Sequence, residues 1–342
     1  MEPQQVLAAW GLEPAVARRA DSGLINASYL VRDAGHLVGV LQRLNTGIFK
    51  AHVHEDIEAV TAHLAAKGLT TPRLVRTLEG GLWHETADGE VWRMLTPVGD
   101  RTVEKLTDPA DAHSAGALVA AFHRATADLG WEFVHVRGGF HDTGLRLNQL
   151  ADALALHPNH RLFGEVKSLA DGLFAAWEGW DGPTVLPERV VHGDLKISNL
   201  RFEGPRAVAL IDLDTLGRGT LDAELGDAFR SWCNPASEDT TEAVFDLALF
   251  EAAVRGYAEG SQGSVTPDEV RSIAPGVERI CVELAARFAT DALMEGYFGW
   301  DPTRFATRGE HNLLRARGQA SLARAVREQR PRADAIVASA FR

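Results

Sequence analysis

Cysteine is almost missing: Cys233 and Cys281 are the two thiols of a 342-residue chain. Two thiols cannot build a disulfide framework, and their spacing fits no zinc motif. They read as buried thiols of a reducing compartment. Basic residues are outnumbered, 35 against 47 acidic ones, for a formal net charge of −12. Such a chain is a poor partner for phosphate backbones, so nucleic acid is not an expected partner. No apolar run reaches the 18 residues a membrane span requires. Residues 1–5 also lack the basic start and apolar core of a signal peptide. The expectation is a cytoplasmic protein with no membrane partner.

Internal repeats and Pro/Gly/Ser linker tracts are absent too. The thirteen histidines are scattered without metal-ligand spacing. What is present is an ordinary globular composition, 45% hydrophobic, with enough length to bury a core unaided by disulfides or metal. Residues 22–43 read as two strands joined by a turn at Asp33-Ala34-Gly35. A helix follows at about 54–67, with Ile57, Val60 and Leu64 on one face. Trp83 and residues 91–95 suggest two more strands. Beyond Pro97-Val98-Gly99 the pattern becomes mainly helical, over 111–129, 160–179, 240–258, 276–296 and 311–328. Thr266-Pro267-Asp268-Glu269 has the composition of a helix start. The chain therefore divides into 1–97, strands plus one helix, and 98–342, mainly helical.

Two short apolar runs interrupt the helices, 189–191 and 207–211, and each leads into acidic residues. The first continues His192-Gly193-Asp194-Leu195-Lys196-Ile197-Ser198-Asn199, the second Asp212-Leu213-Asp214. Phosphoryl transfer from ATP needs one carboxylate to accept the proton of the attacking hydroxyl. It also needs an Asn and a second carboxylate to hold Mg²⁺ across the phosphates, and hard oxygen ligands suit that ion. The bland alternative makes Asp194 a turn residue and Asn199 a local cap.

The block His192-Gly193-Asp194 through Asn199 resembles the catalytic loop of protein kinases, with Gly in place of Arg. That variant is typical of the aminoglycoside phosphotransferase and choline kinase superfamily. Further segments are similar to the N-acetylhexosamine 1-kinases within it: Gly-Leu-Ile-Asn26-Ala-Ser-Tyr, Leu-Gln-Arg43-Leu-Asn45-Thr-Gly-Ile-Phe-Lys50, Gly226-Asp227-Ala-Phe-Arg230 and Glu310-His311-Asn312-Leu-Leu-Arg315-Ala-Arg317. The resemblance spans about residues 23–320. It implies an α+β, bilobal protein-kinase-like fold, with a nucleotide-binding lobe at 1–97 and a catalytic, acceptor-binding lobe at 98–342. By that resemblance Asp194 is the catalytic base, Asn199 and Asp212 are the metal ligands, and Lys196 faces the transferred phosphate. ATP and Mg²⁺ are the implied cofactors. The implied partner is a small-molecule acceptor, an amino sugar or else an aminoglycoside, choline or other small alcohol, for a monomer or homodimer.

Some positions depart from the family pattern. The third strand carries no lysine, so Arg43 is the candidate phosphate cation, with Glu58, or else Glu55, as its helix partner; a structural surface arginine is the plain alternative. Ser22, Gly23 and Asn26 would have to hold the phosphates in a loop poor in glycine. The missing lysine keeps an inactive nucleotide-binding module open as another reading. Asp214 follows Asp212 at strand spacing, which would put both on one face; Asp214 is then either a metal or sugar contact or a structural support behind the site. For the acceptor, Arg287, Asp291, Tyr297 and Trp300 are candidates: polar forks bind hydroxyls and aromatic faces stack on a pyranose. A helix salt bridge with core aromatics is the plain alternative for these four.

Overall fold

The computed structural model describes residues 2–20, 25–136, 138–139, 141–236 and 239–342. A short helix α1 (Pro3–Val6) precedes three antiparallel strands, β1 (Val16–Arg19), β2 (Ala27–Asp33) and β3 (His36–Arg43). Ala34 and Gly35, with φ of 46° and 85°, make the tight turn between β2 and β3, where positive φ matches the twist of a hairpin. Helix α2 (Val53–Ala66) is followed by β4 (Leu74–Val75), β5 (His84–Glu85) and β6 (Val91–Leu95). The sheet runs β1-β2-β3-β6-β4, with β5 also on β6.

Register decides what each face of this sheet carries. Gln42 lies opposite Arg93, and Arg43 opposite Trp92; directly opposed residues share a face. The Trp92 face packs Leu41, Trp92 and Met94 against Val6, Leu7 and Trp10. Leu44 and Val91 instead join the core that contains Ile57 and Val60 of α2.

The remaining chain is mainly helical. Strand β7 (Arg101–Thr102) leads to α3 (Pro109–Thr126), α4 (Thr143–Leu156) and α5 (Phe163–Glu178). Strands β8 (Glu188–Val191), β9 (Leu200–Glu203), β10 (Arg206–Leu210) and β11 (Gly217–Thr220) come next. Helices α6 (Leu221–Trp232), α7 (Leu247–Ser261), α8 (Pro267–Met294) and α9 (Arg308–Ala340) complete the fold. The small strands pair as β10-β9-β7 and β11-β8, so the two acidic segments are the connections β8-to-β9 and β10-to-β11. The expected helix at 276–296 is the later part of α8, which begins earlier, at a full capping box of Thr266 and Glu269. No helix among the described residues is long and apolar enough to cross a membrane.

One contact sets the position of α6. A Cβ on Gly226 would lie 2.4 Å from the Gly276 carbonyl oxygen, and one on Gly276 would lie 2.3 Å from the Asp222 carbonyl. The backbones of α6 and α8 therefore touch, which only glycine permits. Gly276→Ala must push α6 away, and overpacking of this kind costs about 1–3 kcal/mol. A lower denaturant midpoint is expected; an unchanged midpoint would show that the crossing is looser than these distances state.

Candidate active site

The loop after β8 is built around Gly193, whose φ of 81° is open to glycine at no steric cost. His192 is fully buried. Its Nδ1 accepts from the Asp194 amide (3.2 Å), and its Nε2 donates to the Ile211 carbonyl (2.8 Å). One ring thus fastens the first acidic segment to the second. Helix α6 supplies the rest of the frame. Glu224 accepts the amides of His192 (2.7 Å) and Gly193 (2.9 Å), Asp227 accepts that of Leu195 (2.9 Å), and Trp232 donates to the Leu195 carbonyl (2.7 Å). Thr215 adds a bond to the His192 carbonyl, 2.7 Å. Buried carboxylates on backbone N–H groups make strong, charge-assisted bonds, so the loop is held before any ligand arrives.

Asp194 stands at its tip, with Lys196 Nζ and Asn199 Nδ2 each 3.0 Å from its Oδ2. Burial raises the Asp194 carboxyl, but Lys196, with His192 and Arg230 beyond it, brings it below the ordinary carboxylate range. It is ionised at neutral pH and able to accept a proton. Burial lowers the Lys196 ammonium, and Asp194 and Asp212 more than reverse this, so the lysine stays charged.

Asp212 has a different environment. Its φ of 62° is the left-handed conformation, which Asp and Asn adopt more readily than other side chains. A 3-10 turn follows at Leu213–Thr215. The strand spacing expected for Asp212 and Asp214 is thereby broken, and the two carboxyls have separate surroundings. Burial, then Asp214 and Asp194, raise the Asp212 carboxyl above its usual range. Its carboxylate accepts no hydrogen bond from any described residue. Asn199 spends its amide N–H groups on Asp194, leaving its carbonyl oxygen without a donor among the described residues. Two hard oxygens with no protein partner, beside excess negative charge, are what a divalent cation requires. Among the described residues no cluster of three His, Cys, Asp or Glu could hold a metal alone.

On the sheet side several expected roles change. Ser22 and Gly23 lie outside the described residues. Asn26 is buried and committed: its Nδ2 donates to Asp214 (2.6 Å), and its Oδ1 accepts the Asn45 amide (2.9 Å). It braces the second acidic segment instead of offering a side chain to a phosphate. Arg43 points to the outer face, with its guanidinium 5.8 Å from the Trp92 ring and 2.6 Å from Glu90. Glu58 is no partner for it, because Glu58 pairs with Arg73 and Arg76. The β3 residue on the inner face is Gln42, and the cation there is Arg93 of β6. Arg93 and Asp214 are each 1% exposed. Arg93 donates through Nε to Gln42 (2.9 Å) and through both terminal nitrogens to the two oxygens of Asp214. Nearby His54 is pushed down to about 4 by burial and by the Arg93 charge, so it is neutral at pH 7.

The acceptor candidates separate in the same way. Asp291 is buried and accepts the amides of Gly296, Tyr297 and Phe298 and the Asn312 side chain, all within 2.7–2.8 Å. It is the anchor of the loop after α8, with no oxygen left for a substrate. Arg287 makes no hydrogen bond or ion pair to a described residue; its guanidinium lies 5.5 Å from the Phe298 ring and 6.0 Å from Tyr297. Tyr297 is 61% exposed, and Trp300 is partly buried without a ring contact among the described residues. One turn before Arg287, Glu283 meets His141 (3.3 Å), and His141 meets the Gly193 carbonyl (3.4 Å). This face of α8 therefore adjoins the loop that carries Asp194.

A profile of the phosphotransferase enzyme family matches residues 16–261. The chain belongs to that family. Homoserine kinase of Granulibacter bethesdensis is 26% identical over 250 residues, covering 72% of this chain and 70% of that protein. The crystal structure of an aminoglycoside phosphotransferase from Alicyclobacillus acidocaldarius superposes with a TM-score of 0.63 at 17% identity, covering 97% of each chain. Amicoumacin kinase, solved in complex with AMP-PNP, Ca²⁺ and Ami, superposes with a TM-score of 0.63 at 13% identity, covering 94% of this chain and 93% of that one. The fold is therefore the mixed α+β fold of protein-kinase-like phosphotransferases.

For this phosphotransferase, two parts of the frame escape a reading of motifs alone. Glu224 is the first: it lies three residues before Asp227, whose segment the family resemblance already marks, and so on the same helix face, and that second acid on a buried helix is its signal. Arg93 is a lone charge within the apolar run Val-Trp-Arg-Met-Leu, and it too was open to notice.

Proposed function

We propose that the protein transfers the γ-phosphoryl group of ATP, with Mg²⁺, to the anomeric hydroxyl of an N-acetylhexosamine or a related sugar. The observation that carries the kinase reading is the ionised Asp194 flanked by the unpartnered oxygens of Asn199 and Asp212. Asp194 accepts the proton of the attacking hydroxyl. Lys196, charged and beside it, offsets the negative charge that develops on the transferred group. Asn199 and Asp212 hold the cation, which when bound neutralises phosphate charge and aligns the donor. The sugar half rests on the segments similar to N-acetylhexosamine 1-kinases and on Arg287. Its unused guanidinium beside exposed Tyr297 suits a ligand that offers both hydroxyls and an apolar ring face.

A second acceptor class is favoured by a separate observation, the likeness to proteins named homoserine kinase. It would be a small amino alcohol. An ADP-release screen over N-acetylhexosamines, choline, aminoglycosides and homoserine separates the two. For a sugar, the methyl glycoside decides the hydroxyl: its anomeric oxygen is capped, so Asp194 has no proton to accept there. The free sugar is expected to turn over and the methyl glycoside not to. Equal turnover of both would overturn the anomeric assignment, and activity confined to homoserine or choline would replace the sugar.

A further inference from the structure

We propose that Arg93, through its clasp on Asp214, is the positioning residue that aims Asp212 at the metal. This rests on the kinase reading above. The inner face of β3 offers only the neutral Gln42 at this point, and Arg93 is its cross-strand neighbour. From β6 the guanidinium bridges the sheet to the second acidic segment and clasps both oxygens of Asp214. Asp214 also accepts from Asn26 at the entrance to β2. Arg93 of β6 and Asn26, just before β2, thus converge on one carboxylate two residues beyond Asp212, and Gln42 of β3 holds the Arg93 guanidinium from behind.

The pair is expensive to keep. Both ions are fully buried, and apolar residues of similar volume commonly fold as well or better in such places. Arginine's planar fork does something that apolar packing cannot, which is to fix the plane and direction of a carboxylate. Here the plane that it fixes belongs to the 3-10 turn Leu213–Thr215, directly after the left-handed Asp212. The structure thereby links the inner sheet face to the direction of the metal ligand, a link that a purely structural pair has no need to make.

The test compares Arg93→Met, Arg93→Lys and the double variant Arg93→Met/Asp214→Leu. Two quantities are read for each: the thermal unfolding midpoint, and the Mg²⁺ concentration that half-saturates binding of a fluorescent ATP analogue. Arg93→Met should lower the midpoint and raise the Mg²⁺ requirement about 10–100-fold, as loss of a residue behind a metal ligand does. Arg93→Lys should recover part of both. The double variant should regain thermal stability while keeping the raised Mg²⁺ requirement. If it regains the wild-type Mg²⁺ requirement as well, the pair serves folding alone and the proposal falls. Wild-type protein that binds the analogue without any response to Mg²⁺ would instead overturn the kinase reading, and this proposal with it.

Discussion

Asp194→Asn is expected to cut turnover of the acceptor about 10²–10⁴-fold, the usual worth of general-base catalysis, while nucleotide binding stays close to wild type. The reason lies in the frame around it. The loop is held by Glu224, Asp227, His192 and Trp232 through backbone groups, none of which depends on the Asp194 charge. The amide can still offer its oxygen to Lys196 and Asn199. Only the proton acceptor is lost. Steady-state kinetics with the acceptor found by the screen, beside binding of a fluorescent ATP analogue, check both halves. A variant that keeps more than a tenth of wild-type kcat would remove Asp194 from the base role.

Asp212→Asn should fail in another way. Asparagine accepts the left-handed φ of 62° as readily as aspartate does, so the turn survives and the charge alone disappears. Metal stabilisation of a transferring phosphoryl group is worth several kcal/mol, and a loss of about 10³-fold in rate is expected at fixed Mg²⁺. Raising Mg²⁺ should recover part of it, because a ligand has been weakened and not a base removed. Asp194→Asn should show no such recovery. Superimposable Mg²⁺ titrations for Asp212→Asn and wild type would remove Asp212 from the metal role.

The contrast between the two sides of the site says what a sequence can reveal. The loop from His192 to Asn199 was legible because its chemistry is local: base, lysine and amide fall within six residues of chain, and the structure brings them onto one carboxylate. Arg43 misled because the face of a strand residue is set by its partner across the sheet. The register that puts Arg43 beside Trp92 joins residues about fifty positions apart, and a shift of one residue reverses the face. Glu58 failed for the related reason that a helix face is chosen by what packs on it; here Arg73 and Arg76 chose it. Asp291 has the composition of a ligand contact, yet the turn after α8 needed its oxygens first. The expectation for Asp214 assumed a continuing strand, and the left-handed Asp212 ended it.

The glycine contact between α6 and α8 has a consequence for the proposed base and acceptor wall. Helix α6 carries the carboxylates that fix the base, and α8 carries Glu283 and Arg287 on the wall beside it. With the two backbones touching at Gly226 and Gly276, the proposed base and the proposed acceptor wall are carried by helices in direct contact. If Arg287 and residues 295–300 meet the acceptor as proposed, a change among them leaves in place the α6 bonds that hold the Asp194 loop.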